Sequence, residues 1–98
     1  MQTYTSNHTL DLYEVTSKFN PPNSLTNLTA TLPTGASVDG TDYIVVAGAN
    51  ASITSHVAIG APSDGTLGRT VNPLTSPGSS VTLRMLDDGV WYPIAQGA

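Results

Sequence analysis

The chain has 98 residues, enough for one small domain, because dividing it would leave two cores too thin to fold. Three Lys and Arg stand against seven Asp and Glu, a net charge of −4, so the basic surface that grips nucleic acid or anionic lipid is missing. No apolar run exceeds Tyr43–Ala47, far short of the roughly 18 residues of a spanning helix, and the lack of cysteine excludes a disulfide framework or a thiolate metal site.

Charged residues make up only 10% of the chain, and neutral groups carry the polarity instead: 14 Thr, 10 Ser and 6 Asn. A domain of this size without covalent staples is expected to gain stability by packing against copies of itself or a partner. The first residues, Met1-Gln2-Thr3-Tyr4-Thr5-Ser6-Asn7, have neither the basic region nor the apolar stretch of a secretory signal, so synthesis in a host cytoplasm is expected. Three Asn-x-Ser/Thr sequons at Asn7, Asn27 and Asn50 are read as chance products of the composition.

Helix is disfavoured throughout, with seven Pro, nine Gly and β-branched residues at the apolar positions. Thr9–Phe19 places Leu12, Val15 and Phe19 at helical spacing but reads equally as extended chain, and Pro21-Pro22 ends it. It is taken as a strand or extended arm. Leu28, Ala30 and Leu32 alternate with Thr29 and Thr31, and Tyr43–Ala47 suits a strand covered on both faces. Ile53, Val57 and Ile59 share one face of a further strand, with Thr54, His56 and Ala58 on the other. Val81, Leu83 and Met85 alternate with Thr82, Arg84 and Leu86, and Val90, Tyr92 and Ile94 follow across a turn.

Asp88-Gly89 predicts a two-residue type I′ hairpin, whose register would pair Leu86 with Trp91, Met85 with Tyr92 and Leu83 with Ile94. One face would then carry Leu83, Met85, Tyr92 and Ile94, and the other would set Arg84 diagonal to Trp91 for a cation–π contact. Asp-Gly recurs at residues 39–40, 64–65 and 88–89, fitting a meander of short strands. The expected fold is all-β: one small domain of short antiparallel strands forming a sandwich, a barrel or an intertwined β-prism. Residues 1–36 are expected to form an N-terminal arm or edge segment, and residues 37–98 the compact module.

Catalytic chemistry finds little footing. His8 lies in a polar stretch, His56 in a strand, and no nucleophile elbow or phosphate-binding loop occurs. Asp39 and Asp42, like Asp87 and Asp88, abut turn glycines, where Asp is expected for its capping side chain rather than for calcium or acid–base work. No enzyme activity, cofactor or metal is therefore expected. Trp91-Tyr92 beside Asp87 and Asp88 could stack on a sugar, but subunit contact is the favoured reading of this aromatic and Arg-bearing face.

From Val57-Ala58-Ile59-Gly60-Ala61-Pro62-Ser63-Asp64-Gly65 through Val81-Thr82-Leu83 to Asp87-Asp88-Gly89-Val90-Trp91-Tyr92, the chain resembles β modules of tailed-bacteriophage virion proteins. These modules pair a G-x-P-x-D-G turn with a V-T-L…D-G-x-W hairpin, and they occur in trimeric fibres and in small capsid decoration, or cement, proteins. The shortness of the chain favours the decoration protein. The resemblance implies a homo-oligomer, a trimer by expectation, on the outer capsid surface of a virion, binding the major capsid protein where capsomers meet. The alternative is a fibre module that recognises glycans. The interface residues expected under the first reading are Leu10, Leu12, Tyr13, Val15 and Phe19 of the arm, with Arg84, Trp91 and Tyr92 of the hairpin.

Overall fold

A computed structural model describes residues 2–23 and 25–97. Among them are nine strands and no helix: β1 (Gln2–Tyr4), β2 (His8–Thr9), β3 (Thr16–Phe19), β4 (Leu28–Thr31), β5 (Tyr43–Ala47), β6 (Val57–Gly60), β7 (Thr66–Leu67), β8 (Ser80–Asp87) and β9 (Val90–Gly97). The all-β expectation holds. The arrangement differs from the one expected, because the strands are not all antiparallel and form neither a sandwich nor a barrel.

Consecutive strands from β1 to β7 alternate between two sheets. A six-stranded mixed sheet has the order β1-β3-β5-β8-β9-β7, and a three-stranded sheet the order β2-β4-β6. Each strand returns to its own sheet by way of the other, so β1, β3 and β5 run parallel, as do β2, β4 and β6. The chain thus winds through three coils before the antiparallel β8–β9 hairpin docks on β5, and β7 closes the far edge parallel to β9. The six-stranded sheet ends in two edges, β1 and β7, instead of closing on itself.

The strands show period-2 burial because alternate side chains of both sheets enter one shared core. Phe19, Tyr43, Val45, Ala47, Val81, Leu83, Met85 and Trp91 of the larger sheet are buried with Leu28, Ala30 and Val57 of the smaller one and with Leu10, Leu32 and Leu74 beside it. Tyr43 and Trp91 meet edge-on, their ring centroids 5.6 Å apart. Tyr43–Ala47 alternates buried and half-buried residues, so the run expected to be covered on both faces is covered fully on one.

Residues 1–36, expected as an arm or edge segment, place β1 and β2 at sheet edges but β3 and β4 inside the sheets. They supply β1 to β4, and Leu10 and Phe19 lie in the core that they share with the rest of the chain. Thr9–Phe19 is the end of one strand, a turn and a second strand; Asp11 accepts the backbone N–H of Glu14 and, through its carboxylate, that of Tyr13. Ile53, expected on a strand face with Val57 and Ile59, stands in a turn before β6.

The hairpin forms in a different register. Of its two turn residues only Gly89 has positive φ (74°), so the turn is not type I′. Asp87 pairs with Val90, but an irregularity between Met85 and Asp87 then sets Trp91 opposite Met85 and Tyr92 opposite Arg84. The single-residue offset turns Trp91 inward beside Leu83 and Met85, and leaves Tyr92 and Ile94 outward. A second irregularity lies between Thr82 and Leu83.

Candidate functional site: two flanks of unlike charge

Strand direction divides the turns into two flanks. Segments 10–15, 32–42 and 61–65 enter the larger sheet from the smaller, and the hairpin tip at 88–89 lies with them, because β8 runs antiparallel to β5 and β9 pairs with β7 from Val90. All seven carboxylates, Asp11, Glu14, Asp39, Asp42, Asp64, Asp87 and Asp88, belong to this flank. Segments 5–7, 20–23, 25–27, 48–56 and 68–79 form the opposite flank, which contains no Asp or Glu and, of the Lys and Arg, only Arg69; it is called neutral below for its lack of acids.

On the acidic flank most side chains are held internally. Glu14 takes the Tyr4 hydroxyl on one carboxylate oxygen, and on the other His8 Nε2–H at 2.9 Å and the Asp11 N–H at 3.0 Å. The Tyr4 and His8 rings stack at 3.8 Å, and Tyr4 leans on Phe19 at 5.2 Å. This polar and aromatic group closes the end of the first coil, as terminal repeats of coiled architectures commonly do. Both carboxylate oxygens are spent on internal donors, which makes the cluster a staple for turn 11–14. The Tyr43 hydroxyl donates to Leu12 O at 3.0 Å, and burial, with Asp11 nearby, raises its pKa.

That turn presents Tyr13, 92% exposed, between the half-exposed Leu12 and Val15. A shallow groove lined by Gln2, Val15 and Thr16 runs on one side, and another lined by Leu12, Ala36 and Thr41 on the other. Of the interface residues expected in the N-terminal segment, Leu12, Tyr13 and Val15 are therefore together and accessible. Leu10 and Phe19 are not, because core packing between the sheets takes them.

Of the hairpin residues, Trp91 is corrected as well, while Arg84 and Tyr92 remain partly exposed. Trp91 is fully buried, so it can neither meet a partner nor stack on a sugar, and Arg84 stands opposite Tyr92 on the other face of the hairpin. Arg84 instead grips Asp42 with two hydrogen bonds, Nε to Oδ1 at 2.6 Å and Nη2 to Oδ2 at 3.0 Å. These bonds hold the Asp42 carboxyl below its ordinary pKa and push the guanidinium's up. Tyr92 is half-buried; its hydroxyl donates to Asp87 at 3.2 Å, chiefly this bond raising its pKa. Among the described residues no group of three or more His, Cys, Asp or Glu could hold a metal.

The neutral flank was missed by sequence reasoning. Asparagines stitch one coil to the next: Asn7 Oδ1 accepts the Thr29 N–H at 2.9 Å, and Asn27 Oδ1 accepts the His56 N–H at 3.0 Å. Asn20 Oδ1 takes the Asn50 N–H at 2.8 Å, while the Asn50 side-chain amide donates to Pro21 O at 2.9 Å. All three sequon asparagines thus lie in this ladder, and their recurrence was its only trace in the sequence. Ser55 Oγ donates to Asn23 O and accepts the Thr26 N–H, joining two turns that expose Leu25 (80%) and Ile53 (83%). A shallow groove lined by Pro22, Asn23, Asn50 and Ser52 lies in the same turns.

Comparison with protein-family models, curated proteins and solved structures found no match.

Proposed function

We propose that the protein is a non-catalytic structural component of a virion, a capsid decoration protein that binds the assembled shell as a homo-oligomer and strengthens contacts between capsomers. Tyr13 carries this reading. A large ring held almost wholly in solvent, on a turn fixed by Asp11 and by the Glu14 staple, has already lost much of the freedom that binding would otherwise remove. Tyr is among the residues that dominate interface energetics, and Leu12 and Val15 widen the apolar contact around it. The turn-and-hairpin pattern of residues 57–94 supplies the class of partner, the major capsid protein. A decoration protein that binds the assembled shell but not its separated subunits stabilises the shell by linkage. Copies would stand about a common axis, side by side or intertwined as in a β-prism, with a trimer the expected number.

Quantitative mass spectrometry of purified particles is the direct test. The chain should be near-stoichiometric with the major capsid protein, and Tyr13→Ala should weaken binding to preformed shells by about ten-fold or more. Absence from the particles, or binding indifferent to Tyr13, would defeat the proposal. Hits on a glycan array would move the assignment to a fibre module.

A further inference from the structure

We infer that copies of this chain associate through the neutral flank, with Leu25 and Ile53 of one protomer seated against the Pro22–Asn23–Asn50–Ser52 groove of the next. The inference rests on the self-association in the reading above, but not on the shell as partner.

The charge distribution selects the occupant. With every carboxylate on the opposite flank, two copies meeting through the acidic side would bring like charges within the screening length of about 8 Å at physiological salt. Copies meeting through segments 20–23, 25–27 and 48–56 point those charges away from one another. The neutral flank also offers what a contact between copies needs. Leu25 and Ile53 are the two most exposed large aliphatic side chains among the described residues. They stand on turns braced by Ser55 and the asparagine ladder, so little order is lost on association. Each protomer carries the aliphatic pair and the groove on the same turns, a self-complementary patch through which two copies can each give one and receive the other about a two-fold axis.

Sedimentation velocity of the full chain over a concentration series tests this, comparing wild type with Leu25→Asp, Ile53→Asp and, as a control, Ser63→Asp on the acidic flank. Circular dichroism and Trp91 fluorescence report whether each variant is folded. The expected result is a concentration-dependent oligomer that Leu25→Asp and Ile53→Asp weaken by about ten-fold or more, while Ser63→Asp leaves it intact. An oligomer that survives both substitutions overturns the assignment of the flank and leaves self-association standing. A wild type that is monomeric throughout overturns self-association itself, and capsid binding can still be measured independently. Should either flank variant fail to fold, Leu25→Ser and Ile53→Ser remove the same apolar contact without adding charge.

Discussion

Among the described residues, Arg84 and Asp42 form the ion pair with the best geometry, two hydrogen bonds between a planar fork and a carboxylate. Both side chains are more than a third exposed, so solvent screening keeps the pair's contribution modest. It is nevertheless visible through pH. The hydrogen bond from Arg84 lowers the Asp42 pKa in the folded protein, whereas the unfolded chain titrates near the ordinary Asp value of about 3.9. A depressed folded-state pKa stabilises fully above the unfolded value and is lost as pH falls through the folded one. Urea unfolding followed from pH 7 into this acid range should therefore show stability declining for wild type. Asp42→Asn should decline less over the same interval. If the two profiles run parallel, the pair contributes nothing to stability.

Among elements, a tight constraint lies where β5 leaves the larger sheet. Gly48 follows β5 and donates its N–H to Phe19 O at 2.8 Å, directly above Asn20. A Cβ at residue 48 would stand 2.5 Å from the Asn20 Cβ, well inside any allowed contact. Gly48→Ala should thus cost about 1–3 kcal/mol as the coils are forced apart. Asn20→Gly should cost its own amount by releasing the Asn50 N–H, yet the double variant should be more stable than the sum of the two losses predicts. Additive losses in denaturant titrations would show that the contact is relieved elsewhere. The neighbourhood also shows what the sequence could and could not reveal. The alternation of Leu28, Ala30 and Leu32, and that of Val81, Leu83 and Met85, was legible because long runs of period 2 bury one face. β2 and β7 are two residues each, too short for any period, and without them the parallel winding has no visible signature. The offset beside Leu86 was hidden for another reason: an irregularity in a ladder leaves no compositional mark, yet it decides which face Trp91 occupies. Tyr13 was legible as an apolar residue of the N-terminal segment, but its exposure depends on the turn that the Glu14 staple fixes.

At the scale of the whole molecule, the winding converts an unremarkable linear distribution of acids into a polarised body. Asp11, Asp39, Asp64 and Asp88 are far apart in sequence, but successive coils return each of them to one side. Of the three Lys and Arg, Arg84 is committed to Asp42, Arg69 donates to Pro93 O at 3.1 Å on the other flank, and Lys18 stands within β3, so the flank is weakly compensated. Crowded like charges destabilise the compact state, and added salt screens them, the Debye length falling from about 30 Å at 0.01 M to about 10 Å at 0.1 M. Salt also weakens the Arg84–Asp42 attraction, which acts in the opposite sense, but that is one exposed pair against repulsion among the six other carboxylates. Stability at pH 7 should therefore rise with sodium chloride over this range. The combined substitution Asp39→Asn and Asp88→Asn should raise stability at low salt and flatten its salt dependence. Asn at residue 39 tolerates the positive φ of 54° found there, so the substitution removes charge without backbone strain. Thermal or urea unfolding at several salt concentrations decides the matter: stability that falls with salt would mean that attraction governs this flank, and it would remove the electrostatic reason for copies to meet on the other side.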